Sequence, residues 1–189
     1  MHQFGKDSRS RLGYYNAPNP DPTYYRYLPS FQINSPIGAN FIAAEKAEEG
    51  FSEQAQINWP RLYEANQNSP TGQAAYLLYD DVSEDRIMAF NTMFELQLIP
   101  KTNISGGLRY RRENTQNYAL IQDLLGATFH EDIDVFSETR NDLNGNLQKG
   151  EGDLFNYHYD MVSSRFDTFL QGQYTGKNWM GFLGLGLSS

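Results

Sequence analysis

The chain has 189 residues, of which 39% are hydrophobic and 14% are aromatic, and its formal net charge is −8. The absence of cysteine excludes a disulfide scaffold, a cysteine-ligated zinc site and a thiol nucleophile, and the acidic balance disfavours nucleic-acid binding. The modest hydrophobic content and the abundant Tyr and Phe favour a β-rich protein with long polar loops.

The N-terminal third predicts one strand followed by a long loop. A first strand is expected at about Ser8–Tyr15, and residues 16–73 form the loop. Within this loop the proline-rich stretch 17–29 should be extended, because a residue that precedes proline avoids the helical region. Two short helices are expected at 37–50 and 59–67, the second with Pro60 in its first turn.

The middle of the chain predicts a hairpin. Between Met88 and Leu98 large apolar residues occupy every even position except Thr92, which is the period-2 pattern of a strand with one apolar face. Residues 104–111 repeat the alternation, with Leu108 on one face and Arg109 on the other. Two such runs joined by the turn 100–103 indicate an antiparallel hairpin.

The C-terminal part predicts a second hairpin. Alternation over 162–174 places Phe166 and Leu170 on one face and Arg165 and Asp167 on the other. A turn at 175–178 leads to a last strand, 179–187, whose better apolar face carries Leu183 and Leu185. Between the two hairpins lies the stretch 113–155, which carries −7 of the net charge and includes an expected helical turn, 118–125, that ends at Gly126.

Two short turns therefore alternate with two long loops, 16–73 and 113–155. This asymmetry is typical of outer-membrane β-barrels, which cross the membrane with alternating strands and need no long apolar run. A soluble β-sandwich rarely has 40 to 60 irregular residues between neighbouring strands. The predicted fold class is all-β, with antiparallel strands from a transmembrane outer-membrane barrel and long, partly helical extracellular loops.

The polar motifs do not indicate a catalytic, cofactor or metal site. We interpret the four carboxylates between Asp80 and Asp85 as a solvated strand end, and the stretch 142–146 as a turn. Asp132 and Asp134 beside His130 indicate an exposed acidic loop more than a metal pair. The acidic stretch as a whole is either a solvated loop or a surface that holds cations or basic ligands. Four strand residues are candidate lumen-facing contacts if the strands belong to a barrel: Arg109, Arg111, Arg165 and Asp167. In a soluble sheet the same residues would form the solvent-exposed face.

Several stretches resemble TonB-dependent outer-membrane receptors. Asn16–Phe31 (NAPNPDPTYYRYLPSF) is similar to their strand-exit segment, and Ile57–Asn66 (INWPRLYEAN) to the loop that follows it. Asn117–Glu138 resembles another extracellular loop, and Phe155–Ser189 a barrel hairpin. The likeness is greatest to members with a carboxypeptidase-regulatory-like N-terminal extension.

The resemblance implies a 22-stranded barrel in the outer membrane, with a plug in its lumen, that imports a scarce ligand with energy delivered through the TonB complex. With about five strands, no plug and no signal peptide, residues 1–189 are expected to be an internal piece of that barrel. The expected partners are membrane lipid, an unidentified ligand and TonB through the missing plug, with no nucleic acid, cofactor or enzymatic role. Three residues of the loop 113–155 are candidate ligand contacts: Asn117, Tyr118 and Phe129. The alternatives are a soluble β-sandwich that binds carbohydrate, and a surface adhesin or structural barrel.

Overall fold

The computed structural model describes residues 1–134, 137, 139–140 and 145–189. The fold is all-β and mostly antiparallel, with 54% strand and 16% helix, so the coarse fold class is confirmed. In chain order the elements are β1 (His2–Tyr14), a 3-10 turn (Tyr25–Tyr27), α1 (Pro29–Ile33), α2 (Phe41–Glu53), α3 (Trp59–Gln67), β2 (Tyr76–Ile99), β3 (Thr102–Asp123), β4 (His130–Glu131), β5 (Gln148–Lys149), β6 (Leu154–Thr175) and β7 (Met180–Ser188).

Five strands form one sheet in the order β1-β2-β3-β6-β7, and β4 pairs with β5 in a separate two-stranded ribbon. The large sheet is open and is not closed into a barrel. Its last two strands pair antiparallel with Leu170 opposite Leu185 and Gly172 opposite Leu183. Directly opposed residues in an antiparallel pair point to the same side. The register therefore confirms that the two apolar faces predicted for this hairpin coincide.

The strands are longer than their sequence pattern predicted. β1 begins at His2 instead of Ser8, and β3 continues to Asp123, so the helical turn predicted for 118–125 is wrong. Ala119 and Ile121 are fully buried in one cluster with Phe155, and this packing holds the segment extended. Tertiary contacts here outweigh the local helical preference. The connection between β3 and β6 consequently spans 124–153 instead of 113–155, and it contains β4 and β5.

The helices of the first long connection begin at side-chain caps. Asn58 Oδ1 accepts a hydrogen bond from Arg61 N at 3.2 Å, and α3 has the bounds predicted for it. Asn40 caps α2 in the same way through Ala43 N at 3.0 Å, so this helix begins later than residue 37. An amide side chain at the N-cap satisfies a backbone N–H that the helix itself leaves unpaired. No helix in the described part of the chain is long and apolar enough to cross a membrane.

The chain divides into two compact units. Unit 1 comprises residues 1–8, 82–118 and 158–189, and unit 2 comprises residues 9–81 and 119–157. Unit 2 contains two hydrophobic clusters, one around Leu77 and Phe155 and the other around Leu62 and Leu125. Among the described residues, every fully buried hydrophobic side chain except Val82 belongs to unit 2. Unit 1 is a sheet segment almost without a buried apolar core.

Candidate functional site

The strands of unit 1 have two distinct faces, and two adjacent glycines of β3 identify them. A Cβ placed on Gly106 would lie 2.6 Å from Cζ of Phe94, whereas a Cβ on Gly107 would lie 2.6 Å from Cε1 of Phe169. Successive strand residues point to opposite sides of a sheet. Phe94 therefore lies over one face of β3, and Phe169 lies over the other.

The face that carries Phe94 is apolar and open. On β2 it bears large exposed side chains at every second position except Thr92: Met88, Phe90, Phe94, Leu96 and Leu98. On β7 the side chains that share a face with Leu170 of β6 are Leu183, Leu185 and Leu187, each of which is more than 70% exposed. Large exposed apolar patches are typical of surfaces that contact a membrane or another macromolecule.

The length of this apolar face follows from its number of residues. Ten residue steps from Met88 to Leu98 cover roughly 33 Å along the strand. A tilt of about 45° reduces that length to roughly 23 Å, close to the ~25 Å apolar band of outer-membrane barrels. At this tilt the apolar face of β2 would be nearly as long as that band.

Aromatic side chains and the two short turns lie at one end of these strands. Thr175 N donates to the carbonyl oxygen of Lys101 at 2.8 Å, so the turn after β2 lies beside the turn after β6. The rings of Tyr174 and Trp179 are 4.9 Å apart, and Trp179 is exposed. Tyr and Trp are enriched where a membrane protein passes from hydrocarbon to headgroups.

Polar side chains connect four strands beyond the other end of the apolar face. Lys6 Nζ lies 3.0 Å from Oε1 of Glu84, and the Tyr118 hydroxyl donates to the same oxygen at 2.8 Å. The Tyr118 ring meets His158 edge-on with centroids 6.0 Å apart. The Thr115 hydroxyl donates to Asp85 at 2.6 Å. These contacts stabilise the strand pairing with charge-assisted hydrogen bonds.

The predicted solvated strand end at Asp80–Asp85 is therefore wrong. All four carboxylates lie within β2, and each has a cross-strand partner. In unit 2 the Ser10 hydroxyl donates to Asp80 at 2.6 Å, and Asp81 forms an ion pair with Arg11 and accepts from the Tyr157 hydroxyl. The sequence around the four carboxylates does not indicate these contacts, because the residues that pair with them are distant in the sequence.

The opposite face of unit 1 brings three of the four predicted lumen-facing residues together. A cavity of about 520 Å³ is lined by side chains from four strands, among them Asn91, Met93, Arg109, Arg165, Asp167 and Ser188. Arg165 Nε donates to both carboxylate oxygens of Asp167, at 3.0 and 3.1 Å, and the Ser188 hydroxyl donates to Oδ1 at 2.7 Å. Arg109 lines the same cavity and is exposed. The guanidinium group of Arg109 therefore lines the same cavity as the ion pair of Arg165 and Asp167, whose charges neutralise each other.

The fourth residue lies apart from this cavity. Arg111 is two positions further along β3 on the same face, and its side chain donates to Glu113 at 3.1 Å. The sequence identified the face correctly because the period-2 pattern assigns faces. It did not indicate which arginine is neutralised, since Glu113 and Asp167 are equally plausible partners in the sequence alone.

The structure does not place the three predicted ligand contacts together on one loop. Asn117 and Tyr118 lie within β3, and the Tyr118 hydroxyl is occupied by Glu84. Phe129 is half-buried next to β4 and belongs to unit 2. Within the described residues, no group of three or more His, Asp or Glu side chains is arranged to hold a metal ion. Residues 142–144 of the predicted turn lie outside the described part of the chain.

The interpretation of His130 and Asp132 as part of an exposed loop is wrong. His130 is 1% exposed and Asp132 is 2% exposed. Both Asp132 carboxylate oxygens accept from Asn156 N, at 3.1 and 3.0 Å. Burial lowers the pKa of His130, against the opposing effect of the neighbouring Asp132 carboxylate. β4 and β5 have only two residues each, so the alternation of apolar and polar residues is too short to predict a buried two-stranded ribbon from the sequence.

Comparisons with family models, with curated proteins and with solved structures gave no match to this chain. The fold and the two faces of unit 1 therefore define only a class: an all-β protein whose open antiparallel sheet has one exposed apolar face and one polar face with an arginine-lined cavity.

Proposed function

We propose that this chain is a segment of a TonB-dependent outer-membrane receptor, a transporter that binds and imports a scarce ligand and has no enzymatic role. One observation carries the proposal: the exposed apolar face of unit 1, which extends over neighbouring strands and is nearly as long as the apolar band of an outer-membrane barrel. In this proposal that face contacts lipid, and the face with Arg109 and Asp167 lines the lumen.

The chemistry of the two faces supports this orientation. Leucine and phenylalanine side chains are favourable in hydrocarbon, whereas an arginine near the middle of the lipid face costs about 2–4 kcal/mol. On a lumen face the same arginine remains hydrated. Arg109 is therefore tolerated only if its side of β3 faces water, plug or ligand, and its neighbour Leu108 faces lipid.

The open sheet supports a larger assembly. In hydrocarbon an unpaired strand edge leaves backbone N–H and C=O groups without partners, so strands that cross a bilayer must close into a barrel. β1 and β7 are the edges of the described sheet and would pair with further strands. The plug and the contact with TonB would be supplied by the remainder of such a receptor.

A carbohydrate-binding β-sandwich is the competing class. Its two sheets pack face to face about 10 Å apart and bury the apolar side chains between them. In the described part of unit 1 no second sheet covers Phe94 or Leu185. This exposure favours a membrane over a sandwich, and it leaves a surface adhesin built on a barrel as the closer competitor.

Two experiments test the proposal. The protein should fractionate with the outer membrane and should run faster on SDS gels when it is not heated, as folded barrels do; a monomer in the soluble fraction would contradict the barrel. For transport, deletion of this protein and inactivation of TonB should cause the same growth defect on one limiting nutrient. If the defects of the two deletions are additive, the protein acts independently of TonB, as an adhesin would.

A further inference from the structure

His130 in unit 2 is a buried ionisable side chain to which the proposed function assigns no role. Its ring centroid lies 4.3 Å from that of Tyr15 and 5.6 Å from that of Phe155, so aromatic rings cover it on two sides. Neither ring nitrogen makes a hydrogen bond, although the backbone of Ala74 is near. A neutral imidazole leaves one N–H and one lone pair unpaired in such an environment, and an imidazolium would cost much more, because it would lose the hydration of its charge without gaining a partner.

The residue opposite His130 is a second buried ionisable side chain. In the ribbon of β4 and β5 the Cα partner of His130 is Lys149, which is 2% exposed. Side chains of directly opposed antiparallel residues lie on the same face. Docking of the ribbon therefore buries the face that carries His130 and Lys149.

The charges around His130 only partly offset the effect of burial. Asp132 favours the protonated ring, but its carboxylate also accepts hydrogen bonds from the backbone N–H of Asn156. Glu131 favours the protonated ring as well, but it forms an ion pair with Arg140 at 3.2 Å. Tyr15, on the segment after β1, stays neutral because burial raises the pKa of its phenol. The docked ribbon therefore prefers a neutral His130.

We propose that His130 is an acid-sensitive latch: while it is neutral it holds the β4–β5 ribbon against Tyr15 and Phe155, and its protonation releases the ribbon. Burial lowers the pKa of the docked histidine, and an undocked histidine regains its ordinary pKa near 6.5. The undocked state then binds more protons below that pH, so docking is full above pH 6.5 and weakens as the pH falls.

The experiment is amide hydrogen exchange of the full chain in detergent micelles at pH 7.5 and pH 5.0, corrected for intrinsic rates. We assume that only the undocked histidine binds a proton, with its ordinary pKa near 6.5. Protonation of the undocked state then raises the opening constant of the ribbon about 30-fold between pH 7.5 and pH 5.0. Peptides from β7 should show no such rise. A ribbon whose opening does not change with pH would overturn the proposal.

Two variants locate the effect. His130→Phe keeps an aromatic ring between Tyr15 and Phe155 and should abolish the pH dependence. His158→Phe, in unit 1, is the matched control and should keep it. A response that persists in His130→Phe, or disappears in His158→Phe, would assign the latch to another group and overturn the proposal.

Discussion

Asn66 of α3 is the side chain whose removal should damage unit 2 most. It is 1% exposed and bonds with both ends of its amide. Its Nδ2 donates to the carbonyl oxygens of Tyr76 and Leu124, each at 2.7 Å, and its Oδ1 accepts from the backbone N–H groups of Ala75 and Tyr76 at 2.9 and 3.1 Å. One side chain thus holds α3, the start of β2 and the end of β3 together.

The variant Asn66→Ala should lower the free energy of local opening in this part of unit 2 by about 3–5 kcal/mol. These four backbone groups and the carbonyl oxygen of Leu125, 3.3 Å from Nδ2, lose their partner. A buried polar group without a partner costs about 1–3 kcal/mol, less where water can enter. The assay is native-state hydrogen exchange on a peptide covering 73–78. The control is Asn68→Ala, an exposed residue after the same helix, which should change opening by less than about 0.5 kcal/mol. A loss below about 1 kcal/mol for Asn66→Ala, or equal effects of the two variants, would refute the reasoning.

Two further predictions concern the faces of unit 1. In the protein folded into lipid vesicles, Leu108→Arg should lower the free energy of unfolding by about 2–4 kcal/mol, as measured by urea titration, because it places a charge in lipid. Arg109→Leu should lower it much less. Equal losses would show that the faces are wrongly assigned. Gly106→Ala should cost about 1–3 kcal/mol in the same titration, since its Cβ would overlap the Phe94 ring. Gly184→Ala meets nothing closer than 3.9 Å and should be neutral or mildly stabilising, so a comparable loss there would rule out the steric cause.

The strands and the two faces could be predicted because their signal is local. Alternation over ten or more residues allows only one assignment of faces, and the register that pairs Leu170 with Leu185 agrees with it. The bounds of α3 were predictable for a similar reason. Pro60 lies in the first turn and the cap residue Asn58 lies two positions before it, so the helix start needs no distant partner.

The burial of His130 and the role of Asn66 were not predictable, because both depend on distant residues. Tyr15 and Phe155, which cover His130, are separated from it by 115 and 25 positions in the sequence. Asn66 resembles any amide near the end of a helix until the backbone at the start of β2 and just after β3 supplies its partners. The extension of β3 to Asp123 was missed for the same reason, since its last residues are held extended by packing on Phe155.

The most direct test of the central claim is a measurement of which face of unit 1 contacts lipid. The chain has no cysteine, so single cysteines for spin labels can be introduced at successive positions from Phe94 to Leu98 without background. In outer-membrane vesicles we expect high oxygen accessibility and low accessibility to a water-soluble nickel complex at 94, 96 and 98, with the reverse at 95 and 97. Accessibility that does not alternate, or nickel accessibility at all five positions, would contradict a membrane-embedded face.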